Sequence, residues 1–210
     1  MRFVNAPMPA DSGQAGAVTG YRGRVYAIVG NALRALGPIP HAVDVGAGEG
    51  WYAKHLVDDG VVGRCDAVEV SRRERTVVEP ILYDGKRLPM ADRSADLVYA
   101  IDVVHHAPDP RALLDEIARV AAKWILLKDH TYSTPIGRAT LTVLDEIGNR
   151  RFGIPSPGTY QREWTWLAHL ASRGFHVCTM VHPAPCQRGL LGAFTNPLQW
   201  VAVFERHDAD

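Results

Sequence analysis

Apolar positions recur along this chain in short runs separated by amphipathic stretches. In "YRGRVYAIVGNALRAL", residues 21–36, Val25, Ile28, Val29, Leu33 and Leu36 fall three and four apart, the spacing of a one-sided helix. Gly37-Pro38 ends it. "HAVDVG" reads as a first strand and "GWYAKHLVDDG" as the helix after it. "RCDAVEV" is a second strand leading into a charged helix start, "SRRER". "VVEPILYDG" holds a short third strand, "SADLVYAIDV" is a fourth, "DPRALLDEIARVA" is an amphipathic helix, and "KWILLKD" is a fifth strand. Two more helical patterns follow, "PIGRATLTVLDEIGN" and "YQREWTWLAHLASRG", separated by a Pro/Gly-rich loop, "RFGIPSPGT". "FHVCTMV" and "QWVAVFER" are strands with no helix between them. Strands alternating with helices predict an α/β fold built on a doubly wound, mostly parallel sheet. A short connection cannot make a parallel crossover, so the last two strands are expected to be antiparallel neighbours.

Composition narrows this picture. The 210 residues are 47% apolar and 22% charged, enough for one domain with a sizeable core. Residues 1–18 are rich in Ala, Pro and Gly and read as a loose N-terminus, leaving 19–210 as one domain. Lys plus Arg equals Asp plus Glu at 23 each, so no global field draws in nucleic acid or an anionic membrane. Cys65, Cys178 and Cys186 are scattered, without the spacing of a zinc site or a disulfide framework. The start has no signal-peptide core, and no apolar run reaches membrane-spanning length. A cytoplasmic monomer or homodimer is expected.

The chemistry begins at "AVDVGAGEGWYA", residues 42–53, where a strand runs into Gly46, Gly48 and Gly50. A glycine-rich turn before a helix lets a ligand approach backbone amides and the positive helix end. Dinucleotide sites use G-x-G-x-x-G, but Trp51 occupies the position of the third glycine here. Asp44, two residues before the first glycine, suits an ammonium group better than a pyrophosphate. The run Asp44-Val45-Gly46-Ala47-Gly48-Glu49-Gly50 resembles the first motif of class I S-adenosylmethionine-dependent methyltransferases. Glu69 ends the second strand, 25 residues after Asp44, where such folds place a ribose-binding acid. "YDGKRLPMADRSADLVYAIDVVHHAPDPRALLDEIARV" is similar to the family's central stretch, so the resemblance covers about residues 40–129. It is greatest to the small-molecule branch that includes ubiquinone and menaquinone methyltransferases.

The resemblance implies a Rossmann-like seven-stranded sheet of order 3-2-1-4-5-7-6 with strand 7 antiparallel. It implies S-adenosyl-L-methionine as cofactor and a small-molecule acceptor, methylated at oxygen. Asp44, Gly46, Gly48 and Gly50 are expected at the methionine portion, Glu69 at the ribose hydroxyls, Asp84 with Gly85 at the adenine, and Asp102 at the methionine end. Asp84 also stands in an Asp-Gly pair that favours turns without any ligand.

An oxygen nucleophile often needs a base, and histidine titrates in the useful range. His105, His106, Asp129 and His130 follow the fourth and fifth strands, where open α/β sheets bind ligands. His130 is favoured as base and His106 is a second candidate, although paired histidines at this place in the family commonly serve packing. The other histidines, His41, His55, His169, His176, His182 and His207, are dispersed and read as surface or core residues. Asp102 and Asp129-His130 also echo the magnesium layout of catechol-type methyltransferases. Magnesium prefers oxygen ligands and His130 stands where Asn belongs, so no metal is expected. Residues 131–163 exceed one crossover and suggest a cover over the substrate, closed with help from Tyr21 and Tyr26 on the first helix. Trp164 and Trp166 are placed at the start of the next helix, while Arg138, Arg150 and Arg151 suit an acidic substrate. Two rival readings are a methyltransferase acting on a macromolecule, which the charge balance disfavours, and a non-catalytic module that binds the cofactor.

Overall fold

A computed structural model describes residues 20–149 and 158–207. The elements run α1 (Gly20–Arg34), β1 (His41–Val45), α2 (Trp51–Asp58), β2 (Arg64–Glu69), β3 (Ile81–Leu82), β4 (Ala95–Ile101), α3 (Pro110–Val120), β5 (Ala121–Tyr132), α4 (Pro135–Asn149), β6 (Gln161–Arg162), α5 (Thr165–Ala171), β7 (Phe175–Val181), α6 (Gly189–Thr195) and β8 (Gln199–Arg206). The expected loose N-terminus and most of the "RFGIPSPGT" loop lie outside the described residues.

The sheet order is β3-β2-β1-β4-β5-β8-β7, with β6 attached in parallel to the end of β5. β1, β2, β3, β4 and β5 pair in parallel, and β8 is antiparallel to both β5 and β7. Setting aside the two-residue β6, this is the expected 3-2-1-4-5-7-6 order with its antiparallel last strand.

All five residues of β1 are buried because helices cover both sheet faces. Alternation along the strands sorts the core into two layers. Val43, Val45, Val98, Ile125 and Phe204 pack toward α3 and α5, against Leu114, Ile117 and Leu170. Ala42, Leu97, Tyr99, Leu126 and Val203 pack toward α1 and α2, against Val25, Val29, Leu33 and Leu56. Asp44 shares the parity of Ala42, so its carboxylate enters the α1–α2 layer. α3 begins cleanly because Pro110 occupies its first turn and Asp109 Oδ1 accepts from the amides of Arg111 at 3.0 Å and Ala112 at 3.1 Å.

Three local readings are corrected. "SRRER" starts no helix: residues 70–80 are irregular. That segment is drawn back onto the glycine loop, where the Val77 amide donates to Glu49 O at 2.8 Å and Arg72 pairs with Glu79. The helix expected over residues 160–174 is only α5. Gln161–Arg162 pairs with Thr131 and Tyr132 instead, and Glu163 and Trp164 take left-handed backbone angles (φ 51° and 68°) that no α-helix accepts. Trp164 therefore precedes the helix and Trp166 lies within it. The final strand pair does contain a helix, α6, followed by a 3₁₀ turn over Asn196–Leu198, yet the strands remain antiparallel.

Candidate functional site

The three glycines of the first motif have different surroundings. All have positive φ, at 71° for Gly46, 60° for Gly48 and 77° for Gly50. A Cβ on Gly46 would lie 2.6 Å from both methyls of Val103, and one on Gly50 would lie 2.7 Å from Val78 Cβ. These two positions are closed by the protein itself. A Cβ on Gly48 would meet nothing within 4 Å, so this glycine alone of the three fronts open space. Gly46→Ala combines left-handed strain with a backed-up valine and is expected to lower stability by about 1–3 kcal/mol in urea unfolding. A loss below the error of the measurement would show that the loop relaxes freely.

Glu69 is buried at the end of β2 and faces this loop. Its Oε2 accepts from the Gly48 amide at 2.9 Å and its Oε1 from the Val70 amide at 2.7 Å. Each oxygen keeps further lone-pair capacity. Asp44 is also buried, and its Oδ2 has no hydrogen-bond partner. Burial pushes its carboxyl up to about 8 and the Glu69 charge adds to the rise, against hydrogen bonds from Tyr99 and the Ala53 amide. Asp84 is exposed at the end of β3, and its Oδ1 takes the amides of Lys86 at 2.8 Å and Arg87 at 3.0 Å. This is an Asx turn over Gly85 (φ 76°), the local preference of the Asp-Gly pair. Val70, 55% exposed, lies against Gly85.

Trp51 belongs to the packing between α1 and α2. It stacks on His55 at 3.9 Å and meets Tyr26 edge-on at 5.6 Å. Tyr26 donates to the carbonyl of His55 and to Asp59, so it braces α2 and takes no part in a cover over the site. Tyr21 does reach the site: its hydroxyl donates to Asp102 Oδ2 at 2.9 Å.

Asp102 follows β4 with φ 56°. Its other oxygen bonds to Nζ of Lys128, which is wholly buried on β5 and also bonds Tyr21 and, at 2.6 Å, Gln199 Oε1. Burial is the largest influence and opposes ionisation of Asp102, but the Lys128 ammonium together with His130 and His105 holds the carboxyl below its usual range. Lys128 went without a role in the sequence, although a charge inside the apolar run "KWILLKD" was a signal.

The histidines after β4 converge with Asp129 and His130, which lie within β5 near its C-terminal end and do not follow it. Asp129 accepts from the Val104 amide at 3.1 Å and the His130 amide at 2.7 Å, and its Oδ1 lies 2.6 Å from His105 Nδ1. Burial disfavours the charge on His105, but Asp129, with Asp145 and Asp102, outweighs it and raises the imidazole to about 10. His130 behaves oppositely: burial, reinforced by Lys128, lowers it. Its Nδ1 has no hydrogen-bond partner, with Asp129 Oδ1 at 3.4 Å and Asp102 Oδ1 at 3.7 Å. His106 Nε2 lies 3.7 Å from Asp145 Oδ1 on α4. Tyr160 stacks on His105 at 5.3 Å and donates to Asp145 Oδ2 at 2.9 Å. Asp145 was missed because it sits in an ordinary amphipathic helix, where nothing local marks it.

The family profile for a methyltransferase domain matches residues 43–123, the stretch from β1 through α3 to the start of β5. Over this stretch the chain is similar to methyltransferase domains. An uncharacterized methyltransferase of Mycobacterium leprae is 34% identical over 120 residues, covering 52% of this chain and 44% of that protein. One from Mycobacteroides abscessus is 33% identical over 90 residues, covering 37% and 34%. The chain thus spans less than half the length of these relatives. The YcgJ protein of Bacillus subtilis has the same fold with a TM-score of 0.63, at 16% identity, covering 86% of this chain and 98% of that one. The Synechocystis magnesium protoporphyrin IX methyltransferase with bound SAH superposes with a TM-score of 0.59, at 17% identity, covering 92% and 90%. Two buried acids stand beside the glycine loop: Asp44 in β1 just before it, and Glu69, which accepts from the amide of Gly48, the glycine that fronts open space. No helix among the described residues is long and apolar enough to cross a membrane.

Proposed function

We propose that this chain transfers a methyl group from S-adenosylmethionine to an oxygen of a small-molecule acceptor. The observation that carries the reading is the buried, unpartnered Asp44 Oδ2 behind a glycine loop whose Gly48 amide is held by Glu69. An unpaired buried carboxylate oxygen costs stability and awaits a donor, and the cofactor's ammonium is one of suitable charge. In this reading Asp44 and the Gly46–Gly50 backbone serve the methionine portion, Glu69 takes the ribose hydroxyls, and Asp84 with Gly85 and the apolar face of Val70 receives the adenine. Asp102, fixed by Lys128 and Tyr21, bounds the methionine end.

The bound cofactor supplies a methyl group already activated by its sulfonium. The chain's own contributions are alignment, exclusion of water and proton removal. His130 suits proton removal, because its depressed basicity keeps the imidazole neutral near pH 7 and Nδ1 is unpartnered. α4 and residues 158–160 form the cover, tied down where Thr159 Oγ1 donates to His105 O at 2.7 Å. The balanced charge of the chain supports a small acceptor over nucleic acid.

Calorimetric titration tests the reading directly. S-adenosylmethionine and S-adenosylhomocysteine should bind saturably and NAD should not; failure of both sulfur ligands to bind would overturn it. His130→Ala should lower turnover by about 10²–10⁴-fold with cofactor affinity unchanged. Normal turnover across pH would return His130 to a lining role.

A further inference from the structure

We propose that His105, His106 and Asp145 form a binding site for a divalent transition-metal ion beneath the cover. His105 Nε2 lies 3.6 Å and His106 Nε2 3.7 Å from the same atom, Asp145 Oδ1. Ligands about 2.0–2.2 Å from a tetrahedral ion stand about 3.3–3.6 Å apart, so each imidazole nitrogen already lies near that spacing from the carboxylate oxygen. The three donor atoms lie within 4.8 Å of one another.

The surrounding bonds are those a metal site needs. A ligating histidine donates its second ring N–H to a carboxylate, which sets its tautomer and orientation. His105 Nδ1 meets Asp129 Oδ1 at 2.6 Å, with both residues only 1% exposed. Asp129 is itself held by the amides of Val104 and His130. On the other side, the Tyr160 hydroxyl takes Asp145 Oδ2 at 2.9 Å, leaving Oδ1 toward the imidazoles. The rings of His105 and His106 are 4.0 Å apart and tilted by 44°, and both Nε2 atoms face Asp145 Oδ1. Two imidazoles and one carboxylate favour zinc, iron, manganese or cobalt over magnesium, which prefers oxygen. Three protein ligands leave a position open for an acceptor oxygen. That last assignment rests on the methyl-transfer reading: a metal-bound hydroxyl gives its proton to His130 and its oxygen forms the C–O bond as the methyl–sulfur bond breaks, the electron pair passing to sulfur.

The test uses the whole chain with Cys178, an exposed thiol, changed to Ser so that it cannot compete. Chelator-treated protein is titrated with Co²⁺ and followed by visible absorption, then challenged with Zn²⁺. About one Co²⁺ per chain should bind with the bands of nitrogen and oxygen ligation, and Zn²⁺ should displace it. Asp145→Asn and His106→Gln should each weaken binding at least about tenfold, Asp129→Asn by about 10–100-fold, and His130→Ala should not affect it. S-adenosylhomocysteine titration of each variant shows that it is folded and tests the cofactor site separately. No saturable Co²⁺ binding would overturn the proposal, as would binding that survives both Asp145→Asn and His106→Gln, or binding lost in His130→Ala.

Discussion

Lys128→Met is expected to lower the stability of the protein by about 3 kcal/mol, the lower part of the range for removing one partner of a buried pair. Lys128 is wholly buried, and its ammonium is bonded by Asp102, Tyr21 and Gln199. Methionine keeps the length and apolar stem but leaves the Asp102 carboxylate without its counter-charge. Asp102 retains the Tyr21 hydroxyl at 2.9 Å and is one-quarter exposed, which is why the loss stays below the full range. Urea unfolding reads the effect directly. The double variant Lys128→Met, Asp102→Asn should recover part of the loss, because it removes the stranded charge. A change under about 1 kcal/mol for the single variant would show that water already screens the pair. The consequence for function is geometric: Lys128 ties the end of β5 to α1 through Tyr21 and to β8 through Gln199, so its loss should also loosen the methionine end of the proposed cofactor site.

Asp44→Asn is expected to weaken S-adenosylmethionine binding by about 10–100-fold, the equivalent of about 1.5–3 kcal/mol for a hydrogen bond between charged groups. The same substitution should change the pH dependence of the cofactor-free protein. The Asp44 carboxyl lies at about 8 in the folded chain against 3.8 as its ordinary value. Between those values the folded state holds a proton that the unfolded state has released, so this group's contribution to stability is complete below about pH 4 and falls as pH rises toward 8. Asn carries no such proton. The variant should therefore lose less stability than the parent between pH 5 and pH 8, and match or exceed it at pH 8. Thermal unfolding across that interval checks the sign; a parent protein that gains stability from this group as pH rises would refute it. Binding of an ammonium beside Asp44 favours the ionised carboxylate, so cofactor binding near neutral pH should also release protons, measurable by calorimetry in buffers of different ionisation enthalpy.

The strands were legible because their composition admits no other use. "FHVCTMV" and "QWVAVFER" match β7 and β8 residue for residue, "HAVDVG" runs one residue past β1, and the helix over Pro135–Asn149 was read with its bounds. Errors arose where a distant partner outweighed local preference. "SRRER" has charges suited to a helix start, yet Val77 and Val78 are held against Glu49 and Gly50 from another segment. Gln161 and Arg162 carry a helical pattern but gain a strand partner at the end of β5. Tyr26 looked like its neighbour Tyr21, although their spacing along α1 sends the two hydroxyls to different groups, Asp59 and Asp102.

What the sequence determined by itself was the sheet, its doubly wound crossover pattern, and the spacing of Asp44, the glycines and Glu69, because hydrophobic period and turn chemistry act within a few residues of one another. The tertiary structure decided how the roles divide within those motifs. Side-chain packing separated Gly48 from Gly46 and Gly50, by setting Val103 and Val78 against two of the three. Burial and Lys128 set His130 apart from His105. The approach of Asp145 to a histidine pair some forty residues earlier was invisible along the chain, since distances across a fold depend on how whole layers pack and leave no periodic trace in either segment.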